Sequence, residues 1–178
     1  MTGDDPSEKR EWMRSVLDRF EGPLVRYAAQ ITGDLERARD VAQDTFVRLC
    51  AEDRARVEPH LAEWLFTVCR NRALDVRRKE SRMTPLDDEQ LAACASDDPP
   101  PSAAAEQREE TNQVLQLIEQ LPENQREVVR LKFQAGLSYK EISQVTKLSV
   151  GNVGFLLHTA LKTVRQRLRA ENGVPQKA

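Results

Sequence analysis

At 178 residues the chain has room for one or two domains, and with 39% hydrophobic but only 5% aromatic residues its core must be built mainly from aliphatic helix faces. No apolar run approaches the length of a membrane span and the N-terminus, with Asp4, Asp5 and Glu8, is no signal peptide, so a cytoplasmic protein without membrane insertion is expected. The net charge of −2 conceals an asymmetry: Arg70, Arg72, Arg77, Arg78, Lys79 and Arg82 crowd one segment, whereas Asp87, Asp88, Glu89, Asp97, Asp98, Glu106, Glu109 and Glu110 crowd the next.

Along residues 7–20, Trp12, Val16, Leu17 and Phe20 recur at helical spacing; Gly22-Pro23 interrupts, and residues 24–31 continue helically to Gly33. Asp34 is a good N-cap for a helix that buries Ala38, Val41, Ala42, Thr45, Phe46 and Leu49. Glu36, Arg37, Arg39, Asp40, Gln43, Asp44 and Arg48 surround that face, either as a solvated surface or as a docking surface for a charged partner helix. Residues 52–59 are charged and aperiodic, which reads as a loop. From His60 a further helix places Leu61, Trp64, Leu65, Val68 and Val76 inside and ends in a basic run at Arg82. Trp64 and Phe66 precede Asn71 and the arginines by one to two turns. That grouping suits unpaired bases, because rings stack, an amide reads a base edge and arginine tracks phosphate. A plain core tryptophan is the competing reading.

Residues 83–105 break the helical pattern with Pro85, the run Asp97-Asp98-Pro99-Pro100-Pro101, and alanines and acids that lack a buried face; a mostly extended acidic linker is expected. Helix resumes over residues 112–121 with Val114, Leu115, Leu117 and Ile118. Pro122 sits where a new helix can begin and Gly136 where it should end. Ser138 stands three residues before Glu141, the spacing of a reciprocal N-terminal box, and Ile142 and Val145 give the short helix its buried face. Lys147 and Leu148 form a turn, and Ser149 caps a helix over residues 150–169. That helix carries Val153, Leu157, Ala160, Leu161, Val164 and Leu168 on one face and Phe155, His158, Thr159, Lys162, Gln166 and Arg169 on the other. No Asp or Glu falls between Lys147 and Ala170. Short helix, tight turn and acid-free amphipathic helix match a helix-turn-helix, against the plainer reading of a helical hairpin with a solvated basic face.

The expected fold is therefore all-α: two small helical domains, 1–82 and 106–172, joined by a flexible acidic linker over 83–105, with a tail over 173–178. Cys50, Cys69 and Cys94 lack metal-ligand or disulfide spacing, and Cys50 and Cys69 read as small core residues. His60 and His158 have no nucleophile or paired carboxylate near them, and no phosphate loop is present. No catalytic residue, cofactor or metal is expected.

Three stretches resemble the bacterial RNA polymerase sigma factors of the extracytoplasmic-function group. Residues 35–49, with Ala38, Asp40, Gln43, Asp44, Phe46 and Arg48, resemble its region 2.2. Residues 64–75, with Trp64-Leu65, Asn71 and Asp75, resemble regions 2.3 and 2.4, and residues 121–158, with Gly136-Leu137-Ser138-Tyr139 and Ser149-Val150-Gly151, resemble region 4. The resemblance implies an alternative sigma factor that binds core RNA polymerase through its β′ and β subunits and starts transcription at promoter DNA. An anti-sigma factor is a common partner in the family. Asp40, Gln43, Asp44, Phe46, Arg48 and Leu49 would lie on or support the polymerase-binding surface. Asn71 would receive a base flipped from the −10 element, with residues 52–59 shaping its pocket and Arg72, Arg77, Arg78 and Lys79 on the backbone. Ser149, Asn152, Phe155, His158, Thr159 and Lys162 would face the −35 element. The acidic linker would pass near the RNA path, as an RNA mimic or a plain tether.

The chain departs from the family where relatives often carry three basic residues on the reading helix. Residues 154–160 hold none, and Phe155 stands mid-face, to meet either a thymine methyl or a protein. Fewer phosphate contacts predict a shallower salt dependence. The rival readings are a stand-alone helix-turn-helix regulator and a protein-interaction module without initiation activity.

Overall fold

The computed structural model describes the backbone of residues 6–83 and 102–171 and the side chains of 7–81 and 111–170. Most of the acidic linker, Cys94 and the C-terminal tail lie outside the described residues. Every regular element among the described residues is helical, and they divide into two compact units, carried by α1–α4 and for the most part by α5–α8.

In the first unit, α1 (Pro6–Thr32), α2 (Leu35–Ala51) and α4 (Leu61–Met83) pack on one another. The expected break at Gly22-Pro23 does not occur: Pro23 lies inside α1. A proline within a helix removes one hydrogen bond and costs about 3 kcal/mol. Phe20, Leu24, Tyr27 and Ala28 are buried on both sides of it, and each large apolar side chain so buried returns about 1.5–3 kcal/mol. Packing thus overrides the local signal. Gly33, at φ 73°, ends α1, and the Asp34 carboxylate accepts from the Arg37 amide at 2.8 Å to start α2. All six expected α2 residues are buried.

The expected loop over 52–59 is also helical. Asp53 caps α3 (Arg54–Val57) by accepting from the Ala55 amide at 3.0 Å, and a 3-10 turn (Glu58–His60) leads into α4. Val57 is buried, and Arg54 pairs with Glu58 at 3.1 Å while lying 5.5 Å over the Trp12 ring. Four residues are too few to show a period, so this turn is invisible to a periodicity search.

Cys50 is exposed, contrary to expectation; it falls one position after the buried Leu49, off the core face of α2. Cys69 is fully buried, with its thiol 3.8 Å from the Leu24 carbonyl, and burial raises its pKa to about 12 despite a bond with Thr45. Because the folded pKa exceeds the unfolded one, the stabilisation is complete below about pH 8.5 and is lost as pH rises toward the folded value, at about 1.4 kcal/mol per pH unit. Denaturation titrations should therefore show an alkaline loss of stability that Cys69→Ala reduces. A thiol reagent should modify Cys50 in the native protein and Cys69 only on unfolding. An equal alkaline slope in Cys69→Ala would remove this thiol as the cause.

In the second unit, α5 (Ser102–Glu119) starts within the expected linker. Ser102-Ala103-Ala104-Ala105 has high helix propensity without an apolar face, so propensity extends the helix where no periodicity announces it. Leu117 is buried, but Leu115 is 42% exposed and not part of the core. Leu121, Val128, Val129 and Leu131, around the start and along α6 (Glu123–Phe133), are buried, as are Val153, Leu157, Ala160 and Val164 of α8 (Val150–Glu171). Arg130 of α6 is buried beside Glu119, which also takes a hydrogen bond from Arg126 at 3.3 Å. Burial lowers the Arg130 pKa, while its bond to Glu119 works against that shift. On the α8 side, Arg167 donates to the Gln120 side chain at 2.9 Å.

Candidate nucleic-acid interface

The buried face of α4 is Leu65, Phe66, Cys69 and Ala73; Leu61, Trp64, Val68 and Val76 are only half-buried. Phe66 makes an edge-on ring contact with Tyr27 at 5.3 Å, so it is a core residue and cannot stack on a base. At about 100° per residue, Trp64, Val68, Asn71 and Asp75 share the face opposite this core. Asn71 is exposed there.

The basic residues around Asn71 do not form one set. Arg72 Nε donates to the Asp44 carboxylate at 2.8 Å, joining α4 to α2. Asp44 and Arg72, expected on separate interfaces, are thus committed to each other. A second tie of the same kind joins Arg37 to Glu80. Arg78 is exposed and lies 3.5 Å from Asp75, one turn beyond Asn71, and Lys79 is exposed beside it. Arg77 is exposed too, but six residues from Asn71 it lies about 120° round the helix, off the Asn71 face. A shallow concavity lined by Glu8, Glu11, Trp12, Ser15 and Arg54 takes in Arg54 of the 52–59 segment but none of Asn71, Arg72, Arg77, Arg78 and Lys79.

On α2, Phe46 and Leu49 are buried, at 7% and 0% exposure, and cannot touch a partner; their spacing puts them with Val41 and Ala42 on the core face. Asp40 and Gln43 are exposed along one stripe, and Arg48 is exposed on its flank. The residue that completes the stripe is Val47, 64% exposed, seven positions after Asp40 and four after Gln43. Its helical spacing from Asp40 and Gln43 is the signal in the sequence that marks it.

The helix-turn-helix is built as its punctuation predicts. Gly136, at φ 71°, turns the chain out of α6, and the Leu137 amide donates to the Leu131 carbonyl at 3.1 Å. Ser138 and Glu141 form the reciprocal box: the Ser138 amide donates to the Glu141 carboxylate at 2.7 Å, and the Glu141 amide donates to the Ser138 hydroxyl at 3.3 Å. They open α7 (Tyr139–Thr146), with Ile142 and Val145 buried. Lys147 takes φ 63°, a left-handed conformation, and the Ser143 hydroxyl donates to the Leu148 carbonyl at 2.6 Å to hold the turn. Ser149 then accepts from the Asn152 amide at 3.2 Å. Its hydroxyl caps the helix as an acceptor and keeps its own O–H to donate.

On α8, Asn152, Phe155, His158 and Lys162 are exposed, and Phe155, at 66%, is more exposed than any other large apolar side chain among the described residues. Thr159 is half-buried at the edge of this face, its carbonyl accepting from the Thr163 hydroxyl at 3.0 Å. Leu161 and Leu168, expected inside, are half-buried. A Cβ added at Gly154 would stand 3.7 Å from the Tyr139 ring, an ordinary contact, so the missing basic side chain is not excluded by packing.

Comparison with known proteins agrees with this arrangement. The family model for sigma-70 region 2 matches residues 16–83, and that for sigma-70 region 4 matches residues 111–169. The chain is 28% identical to the ECF RNA polymerase sigma factor SigM of Bacillus subtilis, over 87% of this chain and 91% of SigM. It is 30% identical to the ECF RNA polymerase sigma factor SigL of Mycobacterium tuberculosis, over 88% of this chain and 89% of SigL. Among solved structures it resembles CnrH, determined in complex with the cytosolic domain of CnrY, at 26% identity, 92% coverage of each chain and a TM-score of 0.58. With both region models falling in order on the helices that carry these motifs, the chain belongs to the extracytoplasmic-function RNA polymerase sigma factors, DNA-binding factors that act in transcription initiation.

Proposed function

We propose that this sigma factor divides promoter recognition between its units: residues 1–82 bind core polymerase and open the −10 element, and residues 106–172 bind the −35 element. The observation that carries the first half is Asn71, exposed on the α4 face turned away from the core, with Arg78 about two turns beyond it on the same face. An amide there offers a donor and an acceptor to the edge of an extruded base. Extrusion costs a few kcal/mol of stacking and pairing, which the new contacts must offset. Arg78 and Lys79 hold the adjoining backbone; Arg72 serves mainly to fix α4 against α2, and Arg77 takes a more distant phosphate.

Asp40, Gln43 and Val47 form the centre of the polymerase contact, directed to the β′ subunit, with Arg48 at its edge and Phe46 and Leu49 keeping α2 rigid beneath it. Contacts to β fall to the remainder of the chain. On α8, Asn152, Phe155, His158 and Lys162 face the −35 duplex, Thr159 borders them and Ser149 sets the helix start. The site of action is the cytoplasm, where polymerase and promoters are; among the described residues no helix is long and apolar enough to cross a membrane. The similarity to CnrH, solved with the cytosolic domain of CnrY, supports an anti-sigma factor as a further partner.

Asn71→Ala tests the −10 assignment. Loss of the amide should reduce promoter opening by roughly tenfold or more, read as permanganate reactivity of unpaired thymines, with core binding unchanged. Undiminished opening by the variant would move base capture to another residue.

A further inference from the structure

Phe155 is an unusual residue to find at the centre of a DNA-facing helix, because it has no hydrogen-bonding group. It is 66% exposed and lies one turn into α8, in the part of a second helix that reaches base edges. Its neighbours on the exposed face are Asn152, His158 and Lys162, and Gly151 and Gly154 leave little side-chain bulk beside it. No acid occurs from Lys147 to Ala170, whereas Lys162, Arg165 and Arg169 continue the exposed face. That charge favours duplex DNA over an acid-and-apolar protein surface as the occupant. In the major groove the one strongly apolar base feature is the 5-methyl group of thymine.

We infer that Phe155 reads a thymine 5-methyl group in the −35 element, so that specificity at that base pair comes from apolar contact. This rests on the reading of α8 as the −35 helix. It also accounts for how the helix works with no basic residue from 154 to 160: discrimination by burial replaces part of the affinity that phosphate contacts would supply.

The test uses the full chain with core polymerase. A promoter library with a randomised −35 cassette is selected by transcription, and the selected site is resynthesised with uracil in place of each thymine in turn. Uracil lacks only the methyl group. One position should show a roughly three- to fivefold loss of open-complex formation, the equivalent of one buried methyl, and the others none. Phe155→Ser, which changes an exposed side chain and leaves the core intact, should lose both that sensitivity and the thymine preference. Placing 5-methylcytosine rather than cytosine at the same position should partly restore the wild-type protein and do nothing for Phe155→Ser. Insensitivity to uracil at every position, or the same sensitivity in Phe155→Ser, would overturn the methyl reading while leaving α8 as the −35 reader. No enrichment of any sequence in the cassette would overturn both. Loss of core-polymerase binding by Phe155→Ser would overturn the inference and make Phe155 a protein contact.

Discussion

Val47→Asp should weaken binding to core polymerase by roughly a hundredfold, the effect of losing an apolar centre and placing a desolvated charge there. Val47 is 64% exposed in the free protein, so the substitution removes nothing from the core and the helical content and unfolding midpoint should stay as they are. Asp40 and Gln43 lie beside it on the same stripe, and polar groups around an apolar anchor exclude water more than they contribute affinity. Asp40→Ala and Gln43→Ala should therefore each cost less than Val47→Asp. Titration of labelled protein with purified core enzyme reads all three. Wild-type affinity in Val47→Asp would move the docking surface off this face of α2.

The second large effect concerns stability. Glu119→Ala should destabilise the second unit by about 3 kcal/mol, because it leaves the buried Arg130 guanidinium without its carboxylate. Glu119 itself is about half-exposed, which allows water to compensate in part, and Arg126 loses its 3.3 Å bond as well. Replacing the pair together, by Arg130→Met with Glu119→Gln, should be milder than Glu119→Ala, since no buried charge then remains. Urea denaturation of the three proteins gives the comparison. If the double variant were the less stable, the pair would be contributing net attraction rather than avoiding an unpaired charge.

These two sites show what the sequence could and could not reveal. The six buried residues of α2, the Ser138–Glu141 box and the Val153, Leu157, Ala160 and Val164 face of α8 follow from spacing and capping alone, because long amphipathic helices repeat their signal several times. Arg130 carries no such signal: its burial depends on a carboxylate eleven residues earlier. Pro23 reads as a break, and only the burial of Leu24 and Tyr27 beyond it keeps α1 continuous. For α4 the difficulty is phase. Choosing Trp64 over Phe66 as the buried aromatic rotates the core face by about a quarter turn, and the Tyr27 ring on α1 is what settles it. Among the residues expected at the interfaces, Asn71, Asp40, Gln43 and four of α8 are open to solvent, whereas Phe46 and Leu49 belong to the core and Asp44 and Arg72 to each other. A motif marks a helix as a whole, and in α2 its positions serve support, as Phe46 and Leu49 do, as well as exposure.

The most direct test is run-off transcription from a library of genomic promoters with purified core polymerase, with and without this protein, and with Asn71→Ala in parallel. Transcripts that appear only with the wild-type chain and are lost with Asn71→Ala, at equal core binding, are the predicted result. A protein that binds duplex DNA alone but neither binds core polymerase nor yields new transcripts would contradict it.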